Sequence, residues 1–215
     1  MMICGLDEAG RGPMVGPLVV GAVWSEDPET LRDIGARDSK QLSPSKRETL
    51  FAEISETASA WEVVPVSAEE IDRRMAQTNL NRIEMSMFAE AVARHPADLV
   101  QVDCPEVDTL HFGQVLSAMM GGIRVDARNK ADVVFPTVSA ASIMAKVTRD
   151  RMIEDIKHEL GIDIGSGYPS DPATQTYVED WIIKHGTVPP HARGSWKPVK
   201  DLISKRSVRS LDEWW

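Results

Sequence analysis

Asp7 and Glu8 stand side by side, and Gly10-Arg11-Gly12 follows after one intervening residue. Adjacent carboxylates repel each other, so folding alone gives little reason to join them. A divalent cation removes the conflict. The glycines let the backbone approach a ligand closely and adopt positive φ. The arginine presents a fork of donors suited to a phosphate. Together these residue types point to metal-assisted chemistry on a phosphodiester. A strand end followed by a surface turn is the plainer reading of the same residues.

The acids must be held by the elements around them. They close a short apolar run, Met2 to Leu6, with the length of a buried strand. Pro17 to Trp24 reads as a second strand, and the short Gly/Pro connection predicts antiparallel pairing. Ser43 and Pro44 supply N-cap and N1 of a helix to about Ala58, with Leu50, Phe51 and Ile54 on one face. Trp61 to Val66 is a third strand. Ser67 opens a short helix through Arg74, and Asn79 a longer one with Ile83, Met87 and Ala91 at helical spacing. Leu99 to Asp103 is a fourth strand, again ending in an acid; Val107 to Met119 follows as a helix and Ile123 to Val125 as a fifth strand. Pro136 begins a strong helix to about Leu160, whose Ala140, Ala141 and Ala145 are small enough to press closely on a sheet. Asp171-Pro172 opens another helix, closed by Gly186, and the chain beyond Pro189 has weak periodicity. This is a mixed-sheet α/β order. Ligands of such sheets usually lie beyond the carboxyl ends of strands. If the first and fourth strands are parallel neighbours, Asp7 and Asp103 face each other across a metal-sized gap.

Composition narrows the class. The 42% apolar and 27% charged content of the 215 residues is ordinary for a globular protein with a sizeable core. Cys4 and Cys104 have neither metal-ligand nor redox spacing, which fits a reducing cytosol, and a cytoplasmic location is expected. No signal peptide precedes the first strand, and the most apolar run, Pro13 to Trp24, is too short for a membrane span. The net charge of −9 argues mildly against nucleic acid, but local field decides where a polyanion binds. Basic residues gather at Arg37, Lys40, Lys46 and Arg47, and again from Lys184 to Arg209. A solvated face is the plain reading of both clusters.

The blocks that carry chemistry occur in a telling order: GLDEAGRGPMVGPLVVG from Gly5, DSKQL from Asp38, Asn81 to Glu84, Asp103, NKADVVFPTVSAASIMAKVTRD from Asn129, GSGYPSDP from Gly165, and Arg193 to Trp196. Over nearly the whole chain they resemble type 2 ribonuclease H (ribonuclease HII), in particular its archaeal members. The resemblance implies an α/β ribonuclease H-like fold, a five-stranded mixed sheet flanked by helices, plus a small C-terminal helical extension. Residues 1–160 would form the catalytic domain, 161–206 a helical part completing the substrate cleft, and 207–215 a tail. It further implies endonucleolytic hydrolysis of the RNA strand of RNA–DNA hybrids. Ribonucleotides embedded in duplex DNA would be cut on their 5′ side, leaving 3′-hydroxyl and 5′-phosphate ends.

The family's four carboxylates match Asp7, Glu8, Asp103 and Asp132. Its substrate-reading Gly-Arg-Gly matches Gly10-Arg11-Gly12, and its junction-sensing tyrosine matches Tyr168. Carboxylate oxygens suit Mg²⁺ or Mn²⁺, and two such ions serve the attacking and leaving oxygens of a phosphodiester. Asp7 is expected to bridge both ions. A 2′-hydroxyl both donates and accepts, and glycines let backbone groups reach it. Lys40, Lys46, Lys146 and Arg149 are candidate phosphate contacts, each also open to the reading of a solvated face. Asp126, Asp108 and Glu106 are nearby acids not expected as ligands. Arg128 departs from the family, which often has an acid there, and puts the local electrostatics in question.

The last residues carry a separate signal. Leu211, two spacers, then Trp214 and Trp215 resemble the peptide by which replication proteins bind the sliding clamp (PCNA), with Val208 where a glutamine is usual. Packing back onto the domain is the alternative, since two tryptophans left in water are costly. Competing readings are a DNA resolvase of the same fold, which would lack a 2′-hydroxyl reader, and a non-catalytic clamp-associated binding module. A nucleotide binder fails on pattern, for the Gly-rich stretch lacks the spacing and Lys-Ser/Thr of a phosphate-binding loop. A monomer is expected.

Overall fold

Leu18–Ser25 is buried at every position, as a continuous apolar run in a sheet covered on both faces must be. This strand, β2, pairs antiparallel with β1 (Ile3–Ala9). The computed structural model describes residues 1–36 and 42–212, the last seven of these as backbone alone. The remaining strands are β3 (Ala60–Val66), β4 (Leu99–Asp103) and β5 (Arg124–Arg128), in the order β3-β2-β1-β4-β5. β4 is parallel to both β1 and β5, so the sheet is mixed. The helices are α1 (Glu29–Asp33), α2 (Pro44–Thr57), α3 (Ala68–Met75), α4 (Leu80–Val92), α5 (Thr109–Met119), α6 (Ala131–Val134), α7 (Pro136–Leu160), α8 (Pro172–His185) and α9 (Lys197–Asp212). Among the described residues no helix is long and apolar enough to cross a membrane.

Local signals account for most of these bounds. Ser43 accepts the Lys46 N–H at the start of α2 and Ser67 the Glu70 N–H at the start of α3. Gly186 ends α8 at φ +73°. Ile83, Met87 and Ala91 are all buried along α4. α9 supplies the expected C-terminal helical extension, although the chain beyond Pro189 has only weak periodicity. Its apolar contacts are few, Val199 with Leu202 and Ile203, and they pack on a core that no local window reveals. Pro198 reads as a breaker but lies in the first turn, where a missing N–H costs nothing.

Contacts gather the chain into two compact units, Met1–Ala9 with Val19–Pro65 and Asn81–Arg149, and Gly10–Leu18 with Val66–Leu80 and Asp150–Trp215. The two units interleave along the sequence. In the first unit α7 lies very close to the sheet. A Cβ on Gly5 would fall 2.1 Å from the Thr137 carbonyl carbon, and one on Gly21 2.2 Å from the Ala141 oxygen. Ala140, Ala141 and Ala145 are fully buried at this contact, as their size predicts. Leu31, Leu50, Ile54 and Val23 extend the same core. The second unit is built around Met14, Val15, Ile153, Ile156, Tyr177, Val178 and Ile182.

Candidate active site

The register of β1 and β4 brings two of the acids together. Leu6 pairs with Val102 across these parallel strands, so Asp7 and Asp103 each stand one residue further on neighbouring strands. Asp7 is 6% exposed. Its Oδ1 accepts the Glu8 N–H at 2.8 Å, and Ser142 of α7 hydrogen-bonds to the same carboxyl. Ser142 can reach because Gly5 and Gly21, the latter opposite Asp7 in the register of β1 and β2, let α7 approach. Burial pushes the Asp7 carboxyl well above the ordinary carboxylate range, and the charges of Glu8 and Asp103 push the same way, against the two hydrogen bonds. Such a group is costly as a lone carboxylate and well suited to a hard cation, whose charge would offset both burial and crowding.

Asp132 belongs to the same unit, at 5% exposure on α6. The turn before it is held to β4. Ala131 N–H donates to Asp103 Oδ1 at 2.8 Å, and Asn129 Nδ2 donates to the Cys104 and Glu106 carbonyls at 2.7 and 2.8 Å. Lys130 takes a left-handed φ of 56° to make this turn. Among the described residues, no three His, Cys, Asp or Glu side chains close into a ready cage for a metal ion. Asp7, Glu8 and Asp103 share a field without converging. Like charges gain nothing by converging on their own, and Asp7 and Asp103 each turn an oxygen to a backbone N–H.

The second unit holds the glycine-arginine-glycine loop. Gly10 has φ +98°, a conformation other residues adopt only under strain. The Tyr168 ring borders Gly12, where an added Cβ would lie 3.6 Å from Cε1. Met14 and Val15 N–H groups both donate to the Gly167 carbonyl, at 2.9 and 3.2 Å, tying the tyrosine's loop to the same chain segment. Arg193, fully buried, donates to the carbonyls of Gly10 at 2.7 Å, Arg11 at 3.2 Å and Gly16 at 3.0 and 3.1 Å. Trp196 covers its guanidinium at 4.7 Å and donates from Nε1 to the Gly12 carbonyl at 3.3 Å. In a trans peptide the N–H lies opposite the preceding carbonyl. The Arg11 and Gly12 N–H groups therefore point away from Arg193.

The other expected contacts fare differently. Lys46 is exposed on α2 and Lys146 half-buried on α7. Arg149 is 1% exposed and lies within the protein instead of on a phosphate-facing surface. Lys40, the side chain of Leu211, Trp214 and Trp215 lie outside the described residues. Arg128 is held by Asp126 through two bonds of 2.9 and 2.8 Å and stacks on Phe135, so an acid two residues away matches its charge. Asp108 caps α5 through the His111 N–H, and Glu106 accepts from Asn81 at 2.7 Å. Sequence reasoning did not assign Ser142, Asn129, Arg193 or Trp196 a part. All four sit in recognisable blocks, but nothing local says which distant atom each will meet.

Comparisons with known proteins agree with this picture. The profile of the family described as Ribonuclease HII matches residues 4–199. The chain is similar to the ribonuclease HII of Pyrococcus furiosus, with 42% identity over 223 residues covering 99% of this chain and 98% of that one. It is similar in structure to the ribonuclease H2 of Pyrococcus horikoshii, at a TM-score of 0.89 and 40% identity, covering 96% and 99% of the two chains. An Archaeoglobus fulgidus ribonuclease HII solved in complex with PCNA gives 0.86 and 43%, covering 92% and 96%. The mixed sheet flanked by helices is thus the ribonuclease H-like fold, and the chain belongs to the ribonuclease HII family of endoribonucleases.

Proposed function

We propose that this endonuclease hydrolyses the RNA strand of RNA–DNA hybrids and cuts on the 5′ side of ribonucleotides embedded in duplex DNA, leaving 3′-hydroxyl and 5′-phosphate ends. The observation that carries the proposal is the buried Asp7 carboxyl beside Glu8 and Asp103, on register-matched ends of parallel strands. Asp7, Glu8, Asp103 and Asp132 would hold two Mg²⁺ or Mn²⁺ ions. Bound divalent cations supply a more acidic water and charge stabilisation at the attacking and leaving oxygens. The protein's own part is to hold the oxygen donors ready. Ser142 and the Glu8 N–H fix Asp7, Ala131 N–H fixes Asp103, and Asn129 fixes the turn that carries Asp132.

Gly10-Arg11-Gly12 would read the ribose. The N–H groups of Arg11 and Gly12 face away from their brace and suit a 2′-hydroxyl, with no side chain at Gly12 to bar it. The Tyr168 ring beside Gly12 would pack on the following sugar, where a second 2′-hydroxyl crowds it. Lys46 and Lys146, with Lys40 outside the described residues, remain as phosphate contacts in this reading. The test is a divalent-dependent cut at a lone ribonucleotide in duplex DNA. Equal cutting of an all-DNA duplex would favour the resolvase reading instead.

The terminal pattern of Leu211, Trp214 and Trp215 supports clamp binding, as does the similar Archaeoglobus protein solved with PCNA. Removing residues 208–215 should abolish affinity for the clamp and leave cleavage of free substrate unchanged. Unchanged clamp affinity would end this part of the proposal.

A further inference from the structure

Asp72, on α3, takes no part in the chemistry above, yet it holds the turn that braces the reading loop. Its Oδ2 accepts the Gly194 N–H at 2.6 Å, and its Oδ1 accepts both the Ser195 N–H at 3.0 Å and the Ser195 hydroxyl. Three donors thus converge on one carboxylate, which can only accept. Two successive backbone N–H groups of this kind form a concavity selective for an anion. The neighbouring Arg73 and Arg74 are both held by Glu70. Gly194 makes the approach possible, since a Cβ there would lie 2.8 Å from Val188 Cγ2 and 3.2 Å from Asp72 Oδ2.

The turn so anchored is the one that grips the loop. Arg193 immediately precedes it and meets the carbonyls of Gly10, Arg11 and Gly16, while its own N–H donates to Met14 O at 2.8 Å. Trp196 immediately follows it and meets the Gly12 carbonyl. The residues on either side of the Asp72 contact therefore hold all three carbonyls of Gly10-Arg11-Gly12. We infer that Asp72 is a positioning residue for ribonucleotide recognition: through Gly194 and Ser195 it sets where Arg193 and Trp196 stand, and so the direction of the loop's N–H groups. This rests on the reading of Gly10-Arg11-Gly12 as the ribose reader. An asparagine at position 72 offers one acceptor and presents an amide NH₂ to N–H donors, so it cannot replace the carboxylate.

The test compares Asp72→Asn, Ser195→Ala, Gly12→Ala and Ile182→Val with the unmodified protein, in Mg²⁺, on a duplex carrying one ribonucleotide. Asp72→Asn should raise KM about tenfold, the equivalent of one to two lost hydrogen bonds, with kcat within about threefold. Ser195→Ala, which loses the hydroxyl contact alone, should raise KM about threefold, and it decides the question if Asp72→Asn does not fold. Mn²⁺ affinity measured by calorimetry should be unchanged in both. Ile182→Val trims the core of the same unit and should lower Tm without moving KM. A fall in Tm with KM unmoved in both Asp72→Asn and Ser195→Ala would make Asp72 merely structural and overturn the inference. Gly12→Ala adds only a methyl at ordinary contact distance from Tyr168. If it leaves the preference for the ribonucleotide intact, the reading of the loop itself fails. If it weakens that preference while Asp72→Asn has no effect, the Asp72 assignment fails alone.

Discussion

Replacing Asp7 by asparagine should stabilise the metal-free protein and abolish its activity, and the two effects share one cause. The Asp7 carboxyl is raised well above its ordinary value of 3.8, by burial first and by Glu8 and Asp103 as well. A raised carboxylate contributes stability fully below the unfolded value and loses it as pH rises through the folded one. At neutral pH keeping this group in its buried site is therefore a burden, and the neutral isostere removes it. Burial and two like charges outweigh the two hydrogen bonds of Asp7, and the net burden is on the order of 2 kcal/mol, within the ~1–3 kcal/mol scale of a buried polar group. A chain of 215 residues unfolds with about 0.45 kcal/mol per degree, at about 2.1 cal/mol/K per residue. Asp7→Asn should then raise Tm by about 4 °C for about 2 kcal/mol in EDTA at neutral pH. The gain should vanish as pH falls towards 3.8. Adding Mn²⁺ at about a hundred times its Kd should stabilise the unmodified protein by about 2.7 kcal/mol, or about 6 °C, and the variant hardly at all. Cleavage should fall by at least about 10³-fold, the scale of losing a central electrostatic group. Thermal unfolding in EDTA and in Mn²⁺ reads the first two effects, and a labelled duplex reads the third. A variant that is less stable in EDTA at neutral pH, or that gains as much from Mn²⁺ as the unmodified protein, would refute the reasoning.

Three further outcomes follow from other contacts. Gly21→Ala forces a methyl against the Ala141 carbonyl at 2.2 Å and should cost about 3 kcal/mol; an unchanged melting temperature would show that α7 yields without cost. Asn129→Ala removes both bonds to the Cys104 and Glu106 carbonyls and should cost about 1–3 kcal/mol. It should also weaken Mn²⁺ binding by calorimetry, and intact binding would remove Asn129 from the support of the acids. Glu70, held down to about 2 by hydrogen bonds from Arg73 and Arg74, contributes stability above its ordinary 4.5 that is lost as pH falls through about 2. Glu70→Gln should melt lower than the unmodified protein above that window and alike below it, and a pH-independent gap would contradict this.

Legibility followed the range of the interaction. Helix α7 was readable from Pro136 to Leu160 because its period, its proline start and its small-residue face are local. The parallel pairing of β1 with β4 was a condition that the sequence could state but not decide, and the register meets it. The C-terminal helical part was expected from the family resemblance, but α9 has no local signature of its own, because Val199, Leu202 and Ile203 become an apolar face only against residues of a distant core. Arg149 looked like a surface cation at helical spacing, and only packing shows it to be buried.

The candidate acids and the Gly10-Arg11-Gly12 loop were nameable from residue type and order, because each choice of Asp, Glu or Gly has a chemical reason at its own position. What holds them was not. Arg193 reaches Gly10 across 183 residues, Asp72 reaches Gly194 across 122, and Ser142 meets Asp7 only because two glycines admit α7. A hydrogen bond needs a specific partner at about 2.9 Å. Periodicity along the chain sets which face a residue occupies and leaves open which distant atom will meet it. By itself the sequence determined the family, the strand ends and the donor types. The tertiary structure alone decided how those donors are aimed, since aim depends on the path of segments far removed along the chain.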